Sequence, residues 1–364
     1  MSRETPPSEN DFELSVIGPG RGECIVVHLG NNNWCVVDSC LSSGSTMAAA
    51  TEYLSAFGKD ALEGVRLLVA THWHDDHIRG MSSALQSFNN ATFCCSVALQ
   101  PTQFFELVEL TADSVQRDSG LEEFKNVYTT LLDRAEQKRK KILVAPRYAI
   151  ANRSLLTLSR EDGREDVSVT ALSPSDGTFQ KSLEWIADLM PQAGQTQRRI
   201  PNVTPNTTSI VLWIRAGRHS VLLGADLEHS SQVSEGWFAV LTAHNQHGRA
   251  GVFKIPHHGS PNADCPEVWA EMLQENPIAI VTPFGPSGLP RDLDLHRMLE
   301  RTSNLYCTSV GKEKPPRRDA AVEKQLRNIE RFAINDRLGH VRIRIPLVAE
   351  GPALLELFNG AFKV

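Results

Sequence analysis

The run Arg66 to Thr71 (Arg-Leu-Leu-Val-Ala-Thr) is apolar, of strand length, and ends in His72-Trp73-His74-Asp75-Asp76-His77. Ile78, Met81, Leu85 and Phe88 then recur at helical spacing, so the His/Asp cluster is predicted to sit on a strand-to-helix turn. Positions i and i+2 of a strand face the same way, which lets His72 and His74 aim two imidazoles at one point. Asp76 and His77 lie past the turn, where a carboxylate and an imidazole can aim at a second point nearby. Imidazole suits zinc and similar ions, and carboxylate suits harder ones. A polar turn with helix-capping aspartates is the plain alternative. Three histidines and two aspartates within six residues weigh against it. Asp75 reads equally as a cap or as a support for a ligand.

The rest of the chain supplies partners for this strand. Phe12 to Ile17, Glu23 to Leu29 and Trp34 to Asp38 are strand-like, and Asn31-Asn32-Asn33 between the last two predicts a hairpin. Residues 44–57 read as a helix with Met47, Tyr53, Leu54 and Phe57 as its apolar positions. Residues 101–142 read as mostly helical, with Leu121, Phe124, Tyr128, Leu131 and Ala135 in one stripe. That segment ends in Lys138-Arg139-Lys140-Lys141, where cations favour the negative end of a helix dipole. Val167 to Leu172 is strand-like, and residues 191–208 read as a loop. Ser209 to Ile214 and Ser220 to Ala225 form a second hairpin around Ala216-Gly217-Arg218. Val252 to Ile255, Ile278 to Thr282 and His340 to Ile345 are further strands. Two halves, each with hairpins followed by helices, predict two facing sheets with helices outside. Residues 1–10 are polar and read as a flexible arm.

Three more strand ends carry the same residue types. Pro256-His257-His258-Gly259-Ser260 follows a strand, Asp226 ends Leu222-Leu223-Gly224-Ala225, and Asp38 ends another. Singly, these read as loop histidines and turn or cap aspartates. Together they suit a site assembled from several strand ends at one rim of a sheet.

Composition narrows the function classes. Lys and Arg number 37 against 43 Asp and Glu, a net charge of −6, which argues against broad coating of nucleic acid. Hydrophobic residues at 41% and charged residues at 22% are ordinary for a folded chain. No apolar run reaches the roughly 18 residues that cross a bilayer, so no membrane association is expected. The start, Met1-Ser2-Arg3-Glu4-Thr5-Pro6-Pro7, has no apolar core for a secretory signal, and a cytoplasmic location is expected. Seven scattered cysteines without Cys-x-x-Cys suit buried free thiols, not a disulfide framework or a cysteine zinc site.

His72-x-His74-x-Asp76-His77 resembles the metal motif of the metallo-β-lactamase superfamily, and Asp38 in Val-Val-Asp resembles its first motif. Within it, the chain looks most like the branch holding the hydrolase domain of ComEC-type competence proteins and the phosphorylcholine esterases. Gly20-x-Gly22-Glu23, Asn206-x-x-Ser209, Leu223-Gly224-Ala225-Asp226, Lys254-Ile-Pro-His257-His258-Gly259-Ser260 and Gly339-His-Val-Arg-Ile-Arg-Ile match that branch in order. The resemblance implies an α/β fold, a four-layer αββα sandwich over residues 11–364, with 101–165 as a mostly helical insertion. It implies two divalent metal ions. His72 and His74 hold one; Asp76, His77 and His258 hold the other; Asp226 bridges both; Asp38 orients a ligand histidine. His257 then points at the leaving group or a phosphate oxygen.

One departure stands out. Many members carry a further histidine for the first metal, and none lies between His77 and His219. Asn206 is the nearest match, with a turn residue as its plain alternative. An amide oxygen is a harder, weaker ligand, which widens the choice from Zn2+ to Mn2+ or Mg2+ and leaves open whether one or two sites fill. The implied chemistry is hydrolysis by a metal-activated water, with Asp76, Asp226 and His257 as catalytic groups. The branch points to a phosphodiester, in nucleic acid, a nucleotide or a phosphorylated small molecule. Lys254, Arg291, Arg198-Arg199 and the basic stretch 311–318 are candidate phosphate contacts, with solvated surface charge as the alternative. A carboxylic substrate (lactone, thioester or β-lactam) is the alternative reaction. A metal-bound, non-catalytic protein that docks a protein partner through 101–165 is the alternative class. Homo-oligomerisation is left open.

Overall fold

The computed structural model describes residues 5–41, 45–99, 119–138, 146–159, 167–189, 205–244, 247–309, 338–347 and 351–364. Its strands in chain order are β1 (Asp11–Ile17), β2 (Cys24–Leu29), β3 (Trp34–Val37), β4 (Val65–Ala70), β5 (Thr92–Ser96), β6 (Arg147–Ala149), β7 (Arg153–Leu158) and β8 (Val167–Ala171). They continue with β9 (Leu212–Ala216), β10 (His219–Leu223), β11 (Ala250–Lys254), β12 (Leu273–Val281), β13 (Leu305–Cys307), β14 (His340–Pro346), β15 (Leu354–Phe358) and β16 (Phe362–Lys363). Two eight-stranded sheets result, ordered β15-β14-β1-β2-β3-β4-β5-β6 and β16-β13-β12-β11-β10-β9-β8-β7.

Three apolar interfaces make this a four-layer sandwich. Between the sheets, Phe12, Leu14 and Ile343 of the first pack with Val169, Leu212 and Ile214 of the second. Behind the first sheet, Trp34, Val36 and Leu68 meet helix residues Tyr53, Leu54, Met81, Leu85 and Phe124. Behind the second, Trp213, Leu222 and Phe253 meet Trp237, Val240 and Val268. Strands covered on both faces read as near-continuous apolar runs, which is why β2 and β4 stood out in the sequence. The expected αββα architecture is therefore present.

Both expected hairpins form. β2 and β3 pair antiparallel around Asn31 and Asn32, both at positive φ, and β9 and β10 pair antiparallel around Gly217 at φ 58°. In contrast β3, β4, β5 and β6 run parallel, as do β10, β11, β12 and β13. The carboxyl ends of parallel strands open to one edge, the usual place for a site in such sheets.

Two expectations need correcting. The helix read over 44–57 begins at Ala49 and ends at Ser55, and Met47 is 45% exposed. Gly58 at φ 98° then breaks the chain before a second short helix, Lys59–Glu63. The stretch 101–165 is helical over Ser119–Lys138, but β6 and β7 within it are edge strands of the two sheets. These strands are short and half exposed, so they carry little periodicity to read. In the helix, Phe124 and Leu131 are buried and Tyr128 is partly covered, as the stripe predicted, and Val127, outside the stripe, is buried as well. Arg139 to Lys141, Arg198-Arg199 and 311–318 lie outside the described residues.

Candidate metal centre

The sequence-predicted residues converge on the edge where the parallel strands end. His72 and His74 follow β4, Asp38 follows β3, Asp226 follows β10, and His257 and His258 follow β11. Asp75–Ile78 is a single helical turn that begins directly after His74, so Asp76 and His77 double back over the strand end. Asp75 is exposed there and outside the converging group. Gly22, at φ 115°, lets its backbone pass under this turn: a Cβ would stand 2.8 Å from the Asp76 carbonyl oxygen. Asp38, Ala225, His257 and His258 all have φ between 45° and 59°. L-residues enter that region at a cost, and such conformations cluster at functional sites.

Three of the imidazoles, His72, His77 and His258, are oriented from behind. Thr71 donates to both oxygens of Asp38, from its N–H and its hydroxyl, each at 2.8 Å. The Thr71 hydroxyl is thereby left to accept from His72 Nδ1–H at 2.9 Å. His77 Nδ1–H donates to Asp38 Oδ2 at 2.7 Å. His258 Nδ1–H donates to the Thr282 carbonyl at 2.9 Å. With Nδ1 protonated in all three, each Nε2 presents a lone pair to the site.

Among the described residues the possible ligand atoms form three groups; Glu23, Asp38 and His77 make one behind the site, and the other two share Asp226. His72, His74 and Asp226 make one; Asp76, His77, His258 and Asp226 make the other; within each, the ligand atoms lie within 4.8 Å of one another. His72 Nε2 is 3.2 Å from His74 Nδ1 and 3.9 Å from Asp226 Oδ2. His77 Nε2 is 3.2 Å from Asp226 Oδ1, and His258 Nε2 is 3.0 Å from Asp76 Oδ2. His77 Nε2, Asp226 Oδ1 and Asn206 Oδ1 are buried with no hydrogen-bond partner. Buried polar atoms normally find one, and nitrogen and carboxylate lone pairs converging like this suit a divalent cation. The donor set therefore fits the implied metal pair.

The charges agree with that reading. Burial opposes charge on His77, but Asp226, Asp76, Asp38 and Glu23 outweigh it and push it well above the usual range. Burial likewise opposes charge on His258, and Asp226 and Asp76 raise it. Burial opposes ionisation of Asp226, yet His77 and His258 hold it well below the ordinary carboxylate range, and His77 does the same for Asp76. His72 and His74, more dependent on burial than on any partner, are held low, which favours their neutral forms.

The two tandem histidines part company. His258 is buried inside the second group, whereas the His257 side chain is 20% exposed at its rim. His257 Nε2 lies 3.4 Å from Asn206 Nδ2 and 4.0 Å from Asp226 Oδ2, and Nδ1 lies 3.5 Å from Glu228 Oε1. Asn206 fills the turn role weighed for it, and its side chain lies at the rim beside His257 and Glu228. Its carbonyl accepts from Ser209 N–H in a turn, and its amide donates to Glu228 at 2.8 Å beside the site.

Four participants were not singled out from sequence as site residues: Thr71, Thr282, Glu228 and Glu23. Glu23 and Lys254 form a fully buried ion pair at 2.7 Å beneath the site. Lys254 is thus neither a solvated surface charge nor a phosphate contact, and the expectation for it is withdrawn. Burial opposes ionisation of Glu23, and Lys254 reverses this to keep the carboxyl below its ordinary range. Arg291 is exposed, with its N–H donated to Asp294.

Among the described residues no helix is long and apolar enough to cross a membrane. No protein among the curated sequences matches the chain. Several solved structures resemble it distantly. The metallo-beta-lactamase fold protein YhfI from Bacillus subtilis is 14% identical, with 83% of this chain and 98% of that chain covered and a TM-score of 0.38. CmlA, a diiron beta-hydroxylase from Streptomyces venezuelae, is 16% identical, with 69% and 35% covered and a TM-score of 0.30. Zn(2+)-bound PqqB from Methylobacterium extorquens is 10% identical, with 66% and 69% covered and a TM-score of 0.31. The sequence profile of the metallo-beta-lactamase superfamily matches residues 17–264, which include all the clustered histidines and aspartates. The chain therefore belongs to the metallo-β-lactamase superfamily, whose members are generally metal-dependent enzymes.

Proposed function

We propose that this protein is a metal-dependent hydrolase that acts on a phosphodiester. The observation that carries the reading is the pair of ligand groups joined through Asp226, the arrangement a two-cation centre needs. His72 and His74 would hold the first cation, together with Asp226. Asp76, His77 and His258 hold the second. Zn2+ and Mn2+ both suit this nitrogen and oxygen mixture. When bound, such a pair supplies acidified water and Lewis acidity toward a phosphoryl or carbonyl oxygen.

The protein's own groups do the rest. Asp76 accepts the proton of the attacking water, and Asp226 fixes the spacing of the two halves. His257, at the rim beside Glu228 and Asn206, faces the leaving group. The phosphodiester choice rests on the ordered branch motifs, from Gly20-x-Gly22-Glu23 to His257-His258-Gly259-Ser260. The carboxylic alternative keeps its place because Lys254, once a candidate phosphate contact, is committed to Glu23.

A metal-supplemented screen decides. Bis-(p-nitrophenyl) phosphate, single-stranded DNA, cyclic and linear nucleotides and phosphorylated small molecules are compared with nitrocefin, a lactone and a thioester. Turnover of a phosphodiester that Asp226→Ala abolishes supports the reading. Turnover of a carbonyl substrate alone replaces it with the carboxylic one. No turnover by metal-loaded protein, with a partner captured through the 119–138 helix, favours the non-catalytic class.

A further inference from the structure

Glu23 lies between the two halves of the centre. It stands just before β2 of the first sheet, and its backbone N–H donates to the Asp76 carbonyl at 2.9 Å. Its side chain reaches into the second sheet. Glu23 Oε2 accepts from Lys254 Nζ at 2.7 Å, at the end of β11, and from the Thr282 hydroxyl at 2.5 Å, after β12. Lys254 also donates to the Ile255 carbonyl at 2.9 Å. All these side chains are fully buried.

The carboxylate stands behind both halves of one ligand group. Glu23 Oε1 is 3.9 Å from His77 Nδ1, and Glu23 Oε2 is 3.9 Å from His258 Nδ1. His77 comes from the first sheet's turn and His258 from the second sheet's loop. Thr282, held by Glu23, is the residue whose carbonyl takes the His258 proton at 2.9 Å. The contact therefore connects the position of His258 to the position of His77 through one side chain.

We infer that the Glu23–Lys254 pair is a clasp across the two sheets that sets the distance between the two half-sites of the metal centre. Taking two charges out of water is costly, and a well-packed apolar pair of the same size is often as stable. Plain stability is thus a poor reason for burying an ion pair here. Registration is a better one, because His77 and His258 must meet the same ion from opposite sheets. Glu23 and Lys254 are positioning residues: Glu23 acts from behind the rings, 3.9 Å from Nδ1 of His77 and of His258, and Lys254 holds it there.

The inference rests on the two-cation reading, so the experiment separates the two. Metal-stripped wild type, Glu23→Gln, Lys254→Met and the double Glu23→Gln/Lys254→Met variant are titrated with Zn2+ and with Mn2+ by calorimetry. Their thermal midpoints are measured alongside, together with the visible spectrum after loading with Co2+. Each single variant strands one buried charge and is expected to melt lower. The double variant strands none, and its midpoint is expected to return towards wild type. Its metal affinity is expected to stay about 10- to 100-fold weaker, the usual effect of disturbing groups behind metal ligands, with a shifted Co2+ spectrum. A double variant with wild-type affinity and spectrum overturns the clasp and leaves the metal centre standing. Wild type that binds neither ion overturns the metal centre itself. If the single variants do not fold, the double variant alone gives the answer.

Discussion

Asp38 grips His77 from the side of the ring opposite Asp226, with 2.7 Å from Nδ1 to Asp38 Oδ2 and 3.2 Å from Nε2 to Asp226 Oδ1. One aspartate fixes the ring and its tautomer; the other shares the site the ring faces. Asp38→Asn keeps the size but offers an amide where a pure acceptor stood. Metal affinity is expected to fall about 10- to 100-fold. Calorimetric titration of the metal-free variant checks this, and unchanged affinity would remove Asp38 from the account.

Gly120, in the first turn of the Ser119–Lys138 helix, is pressed against the metal loop. A Cβ there would collide with the Trp73 carbonyl oxygen and sit 3.3 Å from Asp75 Oδ1. Three residues on, Glu123 accepts from the Ser82 N–H and hydroxyl at 2.8 and 2.7 Å. The helix therefore braces the turn that carries the ligands. Gly120→Ala is expected to cost about 1–3 kcal/mol, the range for overpacking a filled space. Denaturant unfolding of the variant measures it; stability equal to wild type would mean the helix can move away freely.

Metal binding should release protons. The acidic neighbours raise His77 and His258 above the usual 6.5, which favours their protonated forms in the folded chain. A raised folded-state value gives stability that is complete below about 6.5 and is lost as pH climbs through that raised value. A metal ion needs the neutral rings, so affinity is expected to rise with pH. Protection of the thermal midpoint by metal should then grow from acidic to mildly alkaline conditions. Titration in two buffers of different ionisation enthalpy reads the protons directly. An enthalpy that does not depend on the buffer would contradict the assignment.

All seven cysteines are buried and unpaired with one another. Burial pushes the thiols of Cys35 and Cys95 up to about 12, and that of Cys265 to about 11. The thiolate is the reactive form. A thiol reagent such as DTNB is expected to leave the native chain unlabelled at neutral pH and to react fully once it unfolds. Rapid labelling of the native chain would show a thiol that opens to solvent.

The parts of the site that lie close together in sequence could be read directly. His72, His74, Asp76 and His77 are fixed by one strand end, so their spacing alone carries the geometry. Asp38, Asp226 and His258 needed the ordered motifs to bring them in, because each alone reads as a turn. Thr282 meets Glu23 across 259 positions; Glu23 stood in an ordered motif without a role, and nothing local marks Thr282. Lys254 illustrates the same limit: a lysine beside a His-His pair looks like a phosphate contact until its buried partner is found. Among the elements, long double-covered strands such as β2 and β4 were legible, whereas β6 and β7, short and at sheet edges, were not.

Metal content of the purified protein tests the central claim most directly. Elemental analysis compares wild type with a His72→Ala/His74→Ala/Asp226→Ala variant after loading and desalting. Wild type is expected to retain about two divalent ions per chain, and the variant essentially none. Full occupancy in the variant, with its fold intact by circular dichroism, would contradict the placement of the centre at these strand ends.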